Sequence, residues 1–202
     1  MSNSINNHQW YGAISNYKRE ITDNLNITAG IDIRYYRGEH RNEISDLYNG
    51  EYFIDMYRSA NNNYRTFASE ADKLAYQRQK LGVGDVVYRD WNSRIWQEGV
   101  YAQAEYQLLD KKLTLVLSGS ANMNTYNRYE NFYVDADQSK SPTKSFFAGT
   151  IKGGANYNID RYNNVFINGG YITRAPYLQN GVFVAPVNSN AVNPDPRNEK
   201  VE

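Results

Sequence analysis

Hydrophobic and polar side chains alternate through residues 100–123, VYAQAEYQLL-DKK-LTLVLSGSANM. Val100, Ala102, Ala104, Tyr106 and Leu108 fall on one face, joined after a short interruption by Leu113, Leu115, Leu117, Gly119, Ala121 and Met123. Tyr101, Gln103, Glu105 and Gln107 fall on the other, with Thr114, Val116, Ser118, Ser120 and Asn122. A period of two is the signature of a strand, because successive side chains point to opposite faces. Each arm exceeds the roughly 5–6 residues usual in soluble sheets, and an apolar-out, polar-in strand needs roughly 9–11 residues to cross a bilayer. The expectation is an antiparallel transmembrane β-barrel wall.

The same alternation marks about six strands. The first is expected over 9–21, turning at 22–24, and the second over 25–41. The hairpin supplies the third and fourth, extended upstream to 94 and downstream to about 132, with its turn at 110–112. The fifth is expected over 145–159 and the sixth over 164–173, joined by a turn at 160–163. Between them lie long segments at 42–93 and 133–144, and a tail at 174–202 that carries four of the five prolines and reads as loop. Tight turns alternate with long connections, as in outer-membrane barrels with short periplasmic turns and long extracellular loops. That assigns Asp110-Lys111-Lys112 to the periplasmic side. Within the first long segment, 69–81 (SEADKLAYQRQKL) has a cap residue and few breakers and predicts a short helix.

The apolar face carries aromatics at both ends. Tyr17, Tyr106 and Tyr157 lie next to the tight turns, and Tyr11, Tyr35, Phe147 and Tyr171 lie at the other rim. Between them are Ala29, Ile31, Ile33, Ala102, Ala104, Leu115, Leu117, Ile151, Gly153, Ala155, Ile167 and Gly169. Two aromatic girdles around an apolar band are what a barrel wall requires. Ile14, Val116, Phe166 and Ile172 break the pattern by falling on the polar face, and Ser15 by falling on the apolar one. Register slips or bulges would account for some of these exceptions, and the sequence does not say which.

Composition modifies this picture in few places. The chain has 202 residues, 22 Lys plus Arg against 22 Asp plus Glu, no Cys, and 19 Tyr against 7 Phe and 3 Trp. Zero net charge and no basic stripe argue against nucleic acid as a partner. The absence of Cys excludes disulfides and thiolate metal sites. Tyr suits a membrane–water interface or a ligand-contacting surface. The mean hydropathy of −0.76 is compatible with a barrel, since only one strand face meets lipid. No run of about 18 apolar residues predicts a transmembrane helix. The N-terminus lacks the basic and apolar regions of a signal peptide, so the chain is expected to be a piece of a longer, exported reading frame.

Chemistry-bearing residues are sparse. His8 before the first strand and His40 near the extracellular rim are expected to be solvated loop residues, and with no paired motif no catalytic, cofactor or metal site is expected. The stretch 149–154 (GTIKGG) lies inside a strand, where glycine allows close approach or bending, and does not form a phosphate cradle. On the polar face Lys18, Asp32, Arg34, Glu105 and Lys152 are expected mainly to brace one another, with guidance of a solute as the sharper alternative. The ligand-binding residues are not identified by the sequence.

The segments WYGAISNYK (10–18), LNITAGIDIRYYRGEH (25–40), NEISDLYNG (42–50), DVVYRDW (85–91), the hairpin at 100–130 and AGTIKGGANYNIDRYNNVFINGGYITRAP (148–176) resemble the barrel of TonB-dependent outer-membrane receptors. NPDPRNEKVE (193–202) looks like the lead into that family's next strand. The likeness is to the subgroup with a carboxypeptidase-regulatory-like N-terminal domain, and it spans nearly the whole of 1–202. It implies a 22-stranded barrel enclosing a plug domain, in the outer membrane of a Gram-negative bacterium. Such a receptor takes energy through the TonB complex and imports a scarce nutrient: an iron chelate, cobalamin or a glycan. The plug, the TonB box and most strands are not in this chain. About six strands cannot close, since roughly eight is the smallest barrel, and the implied partners are therefore outer-membrane lipid, the plug and the remaining strands. Two alternatives stay open: a passive porin-like barrel, and a soluble surface β-module that binds glycans through its tyrosines.

Overall fold

The computed structural model describes residues 1–184 and 189–201. It is all-β: β1 Ser2–Thr22, β2 Leu25–Ile44, β3 Val86–Leu108, β4 Leu113–Glu130, β5 Lys144–Asn158, β6 Asn164–Arg174 and β7 Glu199–Val201. The strands form one sheet in chain order, each antiparallel to the next. Among the described residues β1 pairs with β2 alone, so the sheet is open. Among the described residues no helix is long and apolar enough to cross a membrane, a statement that leaves strands aside.

Tight turns close the sheet at one end. The β3–β4 turn places Leu109, Asp110 and Lys111 at φ 52°, 53° and 67°, with the Lys112 N–H donating to the Leu109 carbonyl at 3.1 Å. At the β5–β6 turn the Asp160 carboxylate accepts the N–H groups of Tyr162 and Asn163 at 2.7 and 2.9 Å, the local side-chain bond that makes Asp a turn residue. Long connections at 45–85, 131–143 and 175–198 gather at the other end.

Several strands run further than the alternation predicts. β1 begins at Ser2, β2 reaches Ile44 and β3 begins at Val86 rather than 94. These extensions carry no period of two, SNSINNH in β1 being polar but for Ile5 and VVYRDWNS in β3 apolar on both faces, although the backbone ladder continues. The tail at 174–202 is also not loop throughout: Glu199–Val201 pairs with Ile172–Arg174 as a seventh strand, fixed by an Arg174–Glu199 ion pair. Part of that tail, 185–188, lies outside the described residues. The expected helix within 69–81 is present as α1, Glu70–Gln77.

The register shifts only at Glu20/Thr22 in the β1–β2 ladder and at Arg41/Asn42 in the β2–β3 ladder. The latter is a bulge, in which Arg41 pairs with Asp90 and Asn42 with Val87, leaving Tyr88 and Arg89 extra. Tyr88 takes φ 67°, and its N–H donates to the buried Asp55 carboxylate at 2.9 Å. The Tyr133 hydroxyl donates to the Tyr88 carbonyl. Two loops therefore clamp the bulge. Neither shift touches Ile14, Val116, Phe166 or Ile172, which pair with Asp32, Glu105, Asn156 and Thr150. They sit on the polar face in unbroken register, so the expected slips are absent there.

The register lines up the aromatics. Tyr11, Tyr35 and Trp96 form one cross-strand row, with ring centroids 6.5 and 4.9 Å apart. Phe147 lies one row nearer the turns, opposite Met123, and Tyr171 lies level with Tyr17, through Ile151, Gly119, Ala102 and Ala29. The upper line thus descends six residues from β1 to β6. The lower line begins at Tyr17, whose row meets Ala102 in β3. It passes through Tyr106 and ends at Tyr157, whose row meets Leu108, also six residues lower. The two lines slant the same way, six residues apart in β1 and ten in β3 and β5, as the stagger of a tilted strand array requires. From Trp96 to Tyr106, and from Phe147 to Tyr157, the band is ten residues tall. At ~3.4 Å per residue and ~40° tilt that is about 26 Å.

The sheet itself has no core. Leu117, Ile151, Ile167 and Val100 on the apolar face are all more than half exposed. Burial concentrates under the long connections, in one cluster of Ile44, Leu81 and Val87 and another of Tyr126, Val182 and Phe183. Helix α1 belongs to that end. Its Ser69 cap accepts the Asp72 N–H at 3.1 Å, a contact worth ~1 kcal/mol. Ser69→Ala is expected to speed hydrogen exchange at Asp72 and its neighbours about fivefold. Unchanged exchange there would show that the loop packing, and not the cap, holds the helix.

Candidate ligand-binding face

The polar face carries the charged and amide side chains of the strands. Period two sends Asp32, Arg34, Gln97, Asn122 and Asn124 to the same side, and the register brings them together. Arg34 donates to Asp32 through both Nε (2.9 Å) and Nη2 (2.7 Å). Gln97 Nε2 donates to Asn124 Oδ1 at 2.8 Å, and Asn124 Nδ2 to Asn122 Oδ1 at 2.7 Å. These side chains line a cavity of about 220 Å3, roofed by Arg174 and Ala175 from the start of the tail. Planar amides and a guanidinium–carboxylate pair offer donors and acceptors to a polar solute.

Of the five charges expected to brace one another, only Asp32 and Arg34 do so. Lys18, Glu105 and Lys152 have no ion pair among the described residues, and Glu105 accepts a bond from Gln107 at 3.3 Å. Lys18 and Lys152 lie in one row, separated by Thr28, Gln103 and Ser118. Beside Lys152, the apolar residues Val116, Phe166 and Ile172 and the bare backbone of Gly154 and Gly170 outline a second depression of about 720 Å3.

A ladder of rings continues the polar face toward the long connections. Trp10 packs on Tyr36 with centroids 4.7 Å apart, and the Tyr36 hydroxyl lies 2.6 Å from His8 Nδ1. His8 meets His40 edge-on at 5.2 Å, and His40 stacks on Trp91 at 4.0 Å. The Arg128 guanidinium covers Trp91 at 4.7 Å and reaches Glu130 at 3.3 Å. This corrects the expectation for both histidines: His8 is in β1, His40 in β2, and each is part of the ladder. Burial, with the positive charges of His8, Arg89 and Arg128, pulls the His40 pKa down to about 4, so the ring is neutral and stacks as an aromatic at neutral pH. No group of three or more potential metal ligands occurs among the described residues. The strand ends lack a period of two, which hid this ladder in the sequence. Its only signal was the recurrence of rings at even positions in β1 and β2.

The loops close over the ladder's far end as one body. Arg65 donates to the carbonyls of Phe132 and Asn131 at 2.9 and 2.7 Å, and the Tyr64 N–H donates to the Tyr133 carbonyl at 2.8 Å. The Tyr126 hydroxyl donates to the Pro176 carbonyl at 3.0 Å. Val182 and Phe183 pack with Tyr126 against Ile95 and Phe146 of the polar face. The long connections are thus folded inward over the sheet.

No protein-family model, no curated protein and no solved structure matches this chain.

Glu130 ties the start of the 131–143 loop to the end of β4. Its buried carboxylate accepts the N–H groups of Phe132 (3.0 Å) and Tyr133 (3.3 Å). Desolvation outweighs these bonds and the Arg128 charge, and lifts its pKa from 4.5 to about 7. A carboxyl raised on folding contributes stability that is full below about pH 4.5 and is lost as pH rises through about 7. After correction for intrinsic rates, amide exchange at Phe132 and Tyr133 is expected to quicken between pH 5 and pH 8. Glu130→Gln should flatten that profile. A profile that keeps its slope in the Gln variant would assign the titration to another group.

Proposed function

We propose that this chain is a section of the wall of a TonB-dependent outer-membrane receptor of a Gram-negative bacterium. In this reading the apolar face meets lipid and the tight turns face the periplasm. The long connections fold over the mouth of the barrel on the cell surface, and the polar face lines the interior. A scarce nutrient, whether iron chelate, cobalamin or glycan, enters past the ring ladder and the Arg34–Asp32 cavity. A plug domain, the remaining strands and the TonB complex complete the machine, and no step of the chain's work is enzymatic.

The observation that carries the reading is the pair of slanted aromatic lines on one face of the sheet, enclosing an exposed band, about 26 Å tall in β3 and β5, that is apolar apart from Glu98 just inside the upper line. A soluble sheet would have to cover that face with a second layer, and none lies on it among the described residues. The two-faced wall also supports transport across the band over a glycan-binding role confined to the surface. The ligand-contacting arrangement itself follows from adaptable Tyr, Asn and Arg groups presented on rigid strands.

The test places one arginine at one depth on either face of the full-length protein. Leu117 is at mid-band on the apolar face, and Ser118 follows it on the polar face between Gln103 and Lys152. Leu117→Arg is expected to cost ~2–4 kcal/mol of folding stability in lipid vesicles, and Ser118→Arg under ~1 kcal/mol. Denaturant titration of the vesicle-bound protein gives both values. Equal costs would remove the lipid-facing assignment, and a folded monomer in detergent-free buffer would favour the soluble module. Spontaneous leakage of a small sugar through proteoliposomes would favour the passive porin-like barrel.

A further inference from the structure

The upper aromatic row has a basic row directly above it on the same face. Arg37 follows Tyr35 by two residues and Arg94 precedes Trp96 by two, and the register sets Arg37 opposite Arg94. Gln9 and Asn127 flank them, so the row reads Gln9, Arg37, Arg94, Asn127 across four strands. Like charges placed directly opposite are unfavourable in a sheet, and a pair of them is retained here without a carboxylate between. Arg37 pairs with Glu39, which also faces Arg41, and Glu43 serves Arg41 as well. Arg94 has no ion pair among the described residues. Its guanidinium lies 4.6 Å over the Tyr129 ring and donates to the Tyr129 hydroxyl at 3.4 Å, which holds it flat on the surface. The acids on this face above the girdle, Glu39, Asp90 and Glu43, all lie beyond the arginine row, away from the aromatics, and Glu98 lies on the other side of the aromatic row.

Position selects the occupant. In the membrane orientation proposed above, on which this inference rests, Tyr11, Tyr35 and Trp96 sit at the interface of the leaflet on the long-loop side. A row two residues further along the strands is ~7 Å higher, at the depth of headgroup phosphates. Guanidinium groups bind phosphate oxygens in a fork, two at a time, and an anion between Arg37 and Arg94 removes their mutual repulsion. We infer that Arg37 and Arg94, with Gln9 and Asn127, form an outward-facing site for the phosphate of an anionic membrane lipid. The lipid chains descend past Tyr35 and Trp96 onto Ile33 and Val100. The site is separate from the polar face and takes no part in the passage of solute.

The full-length protein, purified in detergent, is titrated with phosphatidylglycerol and with phosphatidylcholine, and retained lipid is counted by native mass spectrometry. The wild type is expected to hold phosphatidylglycerol at least about fivefold more tightly. Arg94→Gln should erase most of that preference, Arg37→Gln with Arg94→Gln all of it, and Lys73→Gln on α1 none. Co-flotation of the same samples with vesicles reports membrane insertion independently. Flotation without a lipid preference, or a preference that survives the double substitution, overturns this site and leaves the membrane reading standing. Displacement of the lipid by inorganic phosphate at equal concentration overturns the lipid assignment in favour of a free-anion site. Failure to float overturns the membrane reading and this site together.

Discussion

The structure depends on a backbone register that stays in phase across six long strands. Side chains in a strand repeat every two residues, so a slip of one position would exchange the two faces of the sheet wholesale. The chain avoids that by pairing Tyr35 with Trp96, Ile31 with Val100, Ala104 with Leu117 and Ala155 with Ile167 in unbroken ladders. The bulge at Tyr88 inserts two residues, which keeps the phase, and lies well beyond the aromatic row. The division into an apolar and a polar face, and hence every assignment of a side chain to lipid, ligand or loop, follows from that ladder.

The ladder does not supply a core. A β-sheet one layer thick must bury its apolar face against something, and here the band from Val100 to Leu117 stays open while the packed clusters lie only beneath the loops. The two ends of the strands accordingly obey different physics. Near the tight turns, stability has to come from what surrounds the band. Near the long connections it comes from within, through Asp55 on the Tyr88 bulge, Arg65 on the 131–132 carbonyls and Phe183 against Tyr126. The open edges add a further demand, since unpaired backbone groups along β1 are a template for another strand.

This split also explains what the sequence disclosed. The band was legible because its environment differs between the faces: Val100-Tyr101-Ala102-Gln103 can be read as out, in, out, in. The turns were legible from Asp and Asn, whose side chains make their own bonds, as Asp160 does. Above the band the period vanishes although the strands do not, because Ser2 to His8 is nearly all polar and Val86 to Ser93 has apolar side chains on both faces. Ser2 to His8 and Val86 to Ser93 were therefore missed as strand, and with them the placement of His8, His40 and Trp91. Their contacts join residues 32 and 51 positions apart, which no local pattern encodes. The short β7 was hidden for a related reason, since its three residues carry no period and pair with residues 25 or more positions away.

The polar face carries its own argument about what it touches. A face that only needed hydration would have no reason to hold Val116, Phe166 and Ile172 in strict register on its inner side, nor to stack five rings from Trp10 to Trp91. Both features add apolar surface where water is the default neighbour, at a cost of roughly 25 cal/mol per Å2 left exposed. The amides and the Arg34–Asp32 pair between them are satisfied by one another and stay fixed, so little side-chain freedom is lost when a solute arrives. Alternating fixed polar groups and ring or aliphatic surface suits a partner that is itself amphipathic and arrives from the loop end, where the ladder begins. In the reading proposed above, recognition falls to the strands and access to the loops, with the Glu130-held loop body between solvent and the ladder.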